Sequence, residues 1–310
     1  MRIHVLIIIS IFFLGGCGGT KKHRYYLQST GKHHVLDYND TRPITISIHG
    51  TLPPLIGNLL HIFDAPIGLL PACELNKKFI LSRVLYLLDK ADPEEFPLET
   101  NYSFGWTGYL TFSARRAAAQ QLYEEIRHYK GPITLIGHSH GGNVALELAR
   151  IAHQNDDTDF TIDRLILLAC PIQEVTVGYA SLPLFKKVIS LYSEGDFTQI
   201  VDPQGTYAES RHFKQCCNVD IPLFSQRKLP YFANVVQARI VDMGCDLGHL
   251  DFIRPRFLLQ LPTIITMLES KDSSSQLAIN IPKNHCEKAY FVEHCARRKY
   301  RAKKWMRVEK

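Results

Sequence analysis

Short apolar runs recur along the chain from residue 44 onward, each stopped by glycine, proline or a charged residue, and between them lie stretches whose apolar residues return every three or four positions. Continuous apolar runs of four to eight residues read as strands buried on both faces. They cover residues 44–48, which enter His49-Gly50; 84–88; 133–136, which enter Gly137; 165–168, which end at Cys170-Pro171; 188–192, which stop before Glu194-Gly195-Asp196; and 235–241. An edge hairpin is expected around 35–38. The three-to-four spacing predicts a surface helix over 113–129, with Ala118, Leu122, Ile126 and Tyr129 on its apolar face and Arg115, Glu124, Glu125 and Arg127 elsewhere. A second helix follows Ser139 and turns Val144, Leu148 and Ile151 inward, and a third apolar segment, 255–270, is helical with a kink or restart at Pro262.

Strands alternating with helices in this way predict an α/β fold, a mostly parallel central sheet with helices on both faces. No repeat of 20 to 50 residues recurs, which excludes solenoids and propellers. Residues 52–82 and 197–234 are long and weakly patterned. Their apolar content argues against disorder, and connections of that length are usually functional.

Composition narrows the picture. A chain of 310 residues, 45% hydrophobic and 21% charged, builds one α/β core without needing a second domain. Its first segment reads as processing signal: Arg2, an apolar run over 3–14 broken only by His4 and Ser10, then Gly15 and Gly16. That run is well short of the roughly 20 residues that span a bilayer. The sequence Leu14-Gly15-Gly16-Cys17 resembles the lipobox of bacterial lipoproteins. The resemblance implies export to a bacterial cell envelope and acylation of Cys17, and several chains at about 0.8 kcal/mol per buried methylene anchor a protein stably to a membrane. A plain secretory signal with an incidental cysteine is the alternative.

The other seven cysteines, at 73, 170, 216, 217, 245, 286 and 295, lack the paired spacing of a zinc site, so no metal is expected. Export permits disulfides, and Cys286 with Cys295 is the first pair to consider. Net charge is +6, and the last 28 residues, with ten Lys or Arg and three Glu, account for all of it. Such a tail either contacts anionic lipid or is a solvated end. Export argues against nucleic acid as a partner.

The candidate chemistry lies in Gly137-His138-Ser139-His140-Gly141. Gly-x-Ser-x-Gly alone is a modest signal, but here a strand runs into it and a helix-forming stretch, 143–150, leaves it, the setting of a nucleophile elbow. A serine on so tight a turn stands out of the sheet, and side chains two positions either side would collide with strand and helix. Its hydroxyl needs an imidazole to take the proton and a carboxylate to orient that imidazole. Asp196, after the strand at 188–192, and His249, after the strand at 235–241, occupy those positions in the order Ser, acid, His. Asp202 and Glu194 are rival acids and His212 a rival base. Two main-chain N–H groups must face the developing oxyanion. One belongs to His140, the other to Thr51 (with Leu52 second) after His49-Gly50. The side chains of His138 and His140 are expected to pack or meet solvent.

Through His49-Gly50-Thr51, Gly137 to Gly142, Gly195-Asp196 and Gly248-His249, the chain resembles lipases and esterases of the α/β-hydrolase fold over roughly 40–270. Phe104-Gly105-Trp106-Thr107-Gly108, ahead of Arg115 and Arg116, is similar to a segment of bacterial lipase-like members. The resemblance implies a serine hydrolase of carboxylic esters; the apolar stretch 52–63 beside the expected oxyanion loop, with a lipid anchor, points to acyl lipids as substrates, and no cofactor is expected. A thioesterase, an esterase of small esters, or a non-catalytic surface lipoprotein retaining the fold are the alternatives. Only 17 residues separate Cys170 from Val188, too few for the large cap domain of many relatives. The expected organisation is a signal peptide over 1–16, a lipid-anchor tether and first edge strand over 17–40, the catalytic domain over 41–270, and a Ser-rich linker with a basic C-terminal tail over 271–310.

Overall fold

The computed structural model describes residues 36–51, 67–75, 80–218, 220–271, 277–284 and 287–292. The signal segment, Cys17, residues 52–66, the Cys286 and Cys295 pair and the basic end lie outside the described residues.

Among the described residues one ten-stranded sheet organises the chain. Its strands are β1 (Ile44–Ile48), β2 (Gly68–Pro71), β3 (Asn101–Gly105), β4 (Ile133–His138), β5 (Ile162–Leu168), β6 (Phe185–Tyr192), β7 (Val235–Asp242), β8 (Cys245–Asp246), β9 (Leu277–Ile281) and β10 (Tyr290–Phe291). They lie in the order β10-β9-β7-β6-β5-β4-β1-β3-β2, with β8 folded back on β7. From β9 to β3 every neighbouring pair is parallel; β2, β8 and β10 run antiparallel. Parallel strands need crossover connections, and the crossovers supply helices to both faces. The helices are α1 (Ile80–Ala91), α2 (Phe112–Ile126), α3 (His140–Gln154), α4 (Ala208–Cys217), α5 (Pro255–Leu258) and α6 (Leu261–Glu269).

Successive strand residues feed two separate cores. On β5, Leu165 and Leu167 join the core under α2 and α3, where Ala118, Leu122, Val144 and Leu148 pack. Ile166 and Leu168 join the opposite core with Leu85 and Leu88 of α1, Phe257 of α5 and Ile264 and Leu268 of α6. The period of two explains why these strands read as unbroken apolar runs. This is the α/β-hydrolase fold, and the β5–β6 connection holds only one short turn of helix, Val177–Ser181, so no cap is inserted there.

Several expectations are corrected. The run at 84–88 is not a strand but the middle of α1, a helix buried broadly enough that its apolar residues become contiguous. No strand forms at 36–38. Strands β2 and β3 have no counterpart in the pattern. The stretch from 271, expected to be linker and tail, contains β9 and β10, whose Ile279 and Ile281 are buried because β7 needs a neighbour on that side. Pro262 does restart the helix, separating α5 from α6.

Candidate active site

The residues expected to carry the catalysis lie at the carboxyl ends of parallel strands: Thr51 after β1, Ser139 and His140 after β4, Asp196 after β6, and His249 after the β7–β8 hairpin. Ser139 has φ 53° and ψ −131°, a conformation that L-residues rarely adopt and that the flanking strand and helix impose. Its own amide is tied to the Leu168 carbonyl at 2.9 Å. The turn is crowded on both sides. A Cβ at Gly137 would stand 2.6 Å from the backbone of Gly142, and one at Gly141 would run into the carbonyls of Ile48 and His49. Gly50 approaches from β1, and a Cβ there would meet Ser139 Cβ at 2.6 Å and its Oγ at 3.2 Å. Only glycine lets the β1 loop lie against the serine.

Asp196 is fully buried, accepting the Gln199 N–H at Oδ1 (3.1 Å) and His249 Nδ1–H at Oδ2 (2.8 Å). Because a carboxylate only accepts, this second bond places the Nδ1 proton toward Asp196 and turns Nε2 away from it. His138 holds the same residue from the other side. Its Nε2–H donates to the His249 carbonyl at 3.2 Å, and the two rings lie 4.9 Å apart. Burial, and then the nearby His249, push the His138 imidazole down to about 3, so it is neutral at working pH. His249 is thereby held against the residue preceding Ser139.

The β1 loop is oriented by His49, a buried ring whose pKa burial lowers to about 4. As a neutral ring it donates from Nδ1 to the Gly50 carbonyl at 2.7 Å and accepts the Trp106 N–H at Nε2 at 3.1 Å; Trp106 Nε1–H returns to the His49 carbonyl at 2.8 Å. With the Gly50 carbonyl turned toward the ring, the trans peptide directs the Thr51 N–H to the opposite side.

The rivals are elsewhere. Glu194 faces Arg227 at 4.0 Å, and His212, on α4, lies 3.4 Å from the Cys216 thiol in an exposed position. Asp202 belongs to a separate buried cluster. His140 Nε2 lies 3.4 Å from Asp202 Oδ1, Gln173 Nε2–H donates to Asp202 Oδ2 at 2.5 Å, and Arg115 reaches His140 Nδ1 at 3.3 Å and Gln173 Oε1 at 3.1 Å. Burial opposes charge on Asp202, but the His140 ring, the Arg115 guanidinium and the Gln173 amide outweigh it and bring its carboxyl down to about 2. Burial lowers His140, with Asp202 opposing and Arg115 adding to the shift. Arg115 is thus not on the polar side of its helix. It repeats with Ala119, Leu122 and Ile126 along the buried stripe of α2, and a charge inside an apolar stripe is the signal that would have found it. Among the described residues no group of three or more His, Cys, Asp or Glu is placed to hold a metal ion.

No family model and no curated protein matches the chain. Among solved structures it is similar to a lipase-esterase related protein from Clostridium acetobutylicum (15% identity, 47% of this chain and 51% of that one, TM-score 0.25). It is also similar to carboxylesterase CesB from Bacillus subtilis (12% identity, 75% and 86%, TM-score 0.30) and to the thermostable carboxylesterase EstE1 from a metagenomic library (11%, 79% and 71%, TM-score 0.29). The chain spans about half the length of the Clostridium protein. The fold rests on strand order and register, not on likenesses of this size.

Proposed function

We propose that the chain is a serine hydrolase of carboxylic esters acting on acyl substrates. The observation that carries this reading is the 2.8 Å bond between buried Asp196 and His249, whose carbonyl is held by His138, the residue before a serine at φ 53°. In the proposed reaction Ser139 Oγ attacks the acyl carbon and gives its proton to His249 Nε2, while Asp196 steadies the ring. The N–H groups of Thr51 and His140 take the oxyanion. The alcohol leaves with the proton from His249, and water activated by the same ring releases the acid from the acyl-enzyme.

An acyl chain suits the rim. Phe197 and Leu250, next in sequence to Asp196 and His249, are 66% and 59% exposed, and Leu223 and Phe224 are exposed on the loop after α4. Large apolar side chains left exposed, two of them adjacent in sequence to the acid and the imidazole, suit contact with an apolar partner. An acylated Cys17 and a basic tail on anionic lipid complete the proposal, placing the site at a membrane where acyl esters are found.

Turnover of p-nitrophenyl esters of graded chain length, alongside acyl thioesters, tests the reading. Hydrolysis rising with chain length and reduced in Ser139→Ala by a factor on the order of 10^4 to 10^6 is expected. Preference for thioesters or for acetate moves the substrate class. Absence of all turnover, with an unreactive serine, removes the enzyme and favours a binding lipoprotein.

A further inference from the structure

Resting on that reading, we propose that Asp202, acting through Arg115, Gln173 and His140, is a positioning residue that sets the acid loop against the nucleophile elbow. The cluster closes as a ring of hydrogen bonds and one charge-pair contact. Arg115 Nη1 donates to the Leu110 carbonyl at 2.7 Å and to His140 Nδ1 at 3.3 Å; His140 Nε2 lies 3.4 Å from Asp202 Oδ1. Gln173 bridges the remaining side, taking Arg115 Nη2–H on Oε1 at 3.1 Å and giving its Nε2–H to Asp202 Oδ2 at 2.5 Å. Tyr207 adds its hydroxyl to Asp202 Oδ1 at 3.2 Å, and the Phe112 ring lies 4.5 Å from the guanidinium carbon. Arg115 can only donate, so His140 accepts at Nδ1 and turns Nε2 to the Asp202 side, while Arg115 Nε is left without a partner.

The four corners come from four elements: α2, the elbow, the loop after β5, and the loop after β6 that also carries Asp196. His140 follows Ser139 and supplies one of the oxyanion donors, so the ring links the donor to the acid through side chains that never touch substrate. Stability gives no reason for it. Burying a carboxylate and a guanidinium costs several kcal/mol each, and apolar side chains of equal volume are commonly as stable. What the ring adds is a fixed separation, and a misplacement of about 1 Å at such a site costs on the order of 100-fold in rate.

The test is steady-state ester hydrolysis by Asp202→Ala, Asp202→Asn and Tyr207→Phe beside the wild type, each assayed well below its own Tm. Asp202→Ala is expected to lower kcat about 10- to 100-fold with KM within about threefold. Asp202→Asn, which keeps an oxygen for His140, recovers most of that loss, and Tyr207→Phe, which folds with one bond fewer, lowers kcat by about two- to fivefold. If Asp202→Ala does not fold, the Asn and Phe variants carry the same comparison. Variants that lower Tm while kcat stays at the wild-type value, or that raise KM alone, overturn the inference and leave the hydrolase reading intact. A wild type that turns over no ester and whose Ser139 takes no fluorophosphonate overturns both.

Discussion

Ser139, Asp196 and His249, the residues proposed for the chemistry, stand out in the sequence because each has a local signature: a glycine-flanked serine between strand and helix, and a carboxylate and an imidazole each following a strand, in the order that an elbow requires. Asp202 and Arg115 do not, since no local pattern ties residue 115 to residue 202, and a charge that closes a ring through Gln173 and His140 is visible only once four elements meet. Spacing alone left Asp196 and Asp202 as rivals; their burial against different histidines separates them. His49 is a third case, readable as half of His49-Gly50 but not as the ring that turns the Gly50 carbonyl. His49→Leu is expected to leave the Trp106 N–H and Gly50 carbonyl without partners, costing about 2–4 kcal/mol in urea unfolding, and to lower kcat with KM little changed. Unchanged kcat in the folded variant would detach His49 from the oxyanion loop.

At the scale of elements, apolar runs located β1, β4, β5, β6 and β7 because each is covered on both faces, so that consecutive side chains enter different cores. The same rule misassigned 84–88, where burial around most of α1 imitates a strand, and overlooked β2 and β9, which are short strands near the sheet margins. Strand β9 is still structural. Ile279 is fully buried in the core that also holds Ile264 and Leu268 of α6, and Ile279→Ala is expected to destabilise by about 2–5 kcal/mol, read as a lower urea midpoint at unchanged slope. A cost below about 0.5 kcal/mol would mean that the chain beyond 271 contributes little to the core.

For the whole molecule, the loops that carry chemistry share one end of the sheet, and the buried imidazoles there couple stability to pH. His49 at about 4 and His138 at about 3 stay neutral in the fold, whereas in the unfolded chain both titrate near 6.5. Below pH 6.5 the unfolded state therefore binds more protons, so stability is full above that value and falls toward pH 4 by up to about 1.4 kcal/mol per pH unit for each ring. His140, also lowered by burial, acts in the same direction. Urea unfolding at pH 8, 6.5 and 5 checks the sign, and a flat profile would mean that these rings protonate as readily folded as unfolded. In the proposed chemistry one serine is made nucleophilic by one imidazole that Asp196 orients. Peptide mapping by mass spectrometry after brief fluorophosphonate treatment tests it most directly, with a single adduct on Ser139 in the wild type and almost none in His249→Ala as the predicted result; an adduct on another residue, or one that forms equally fast without His249, would contradict it.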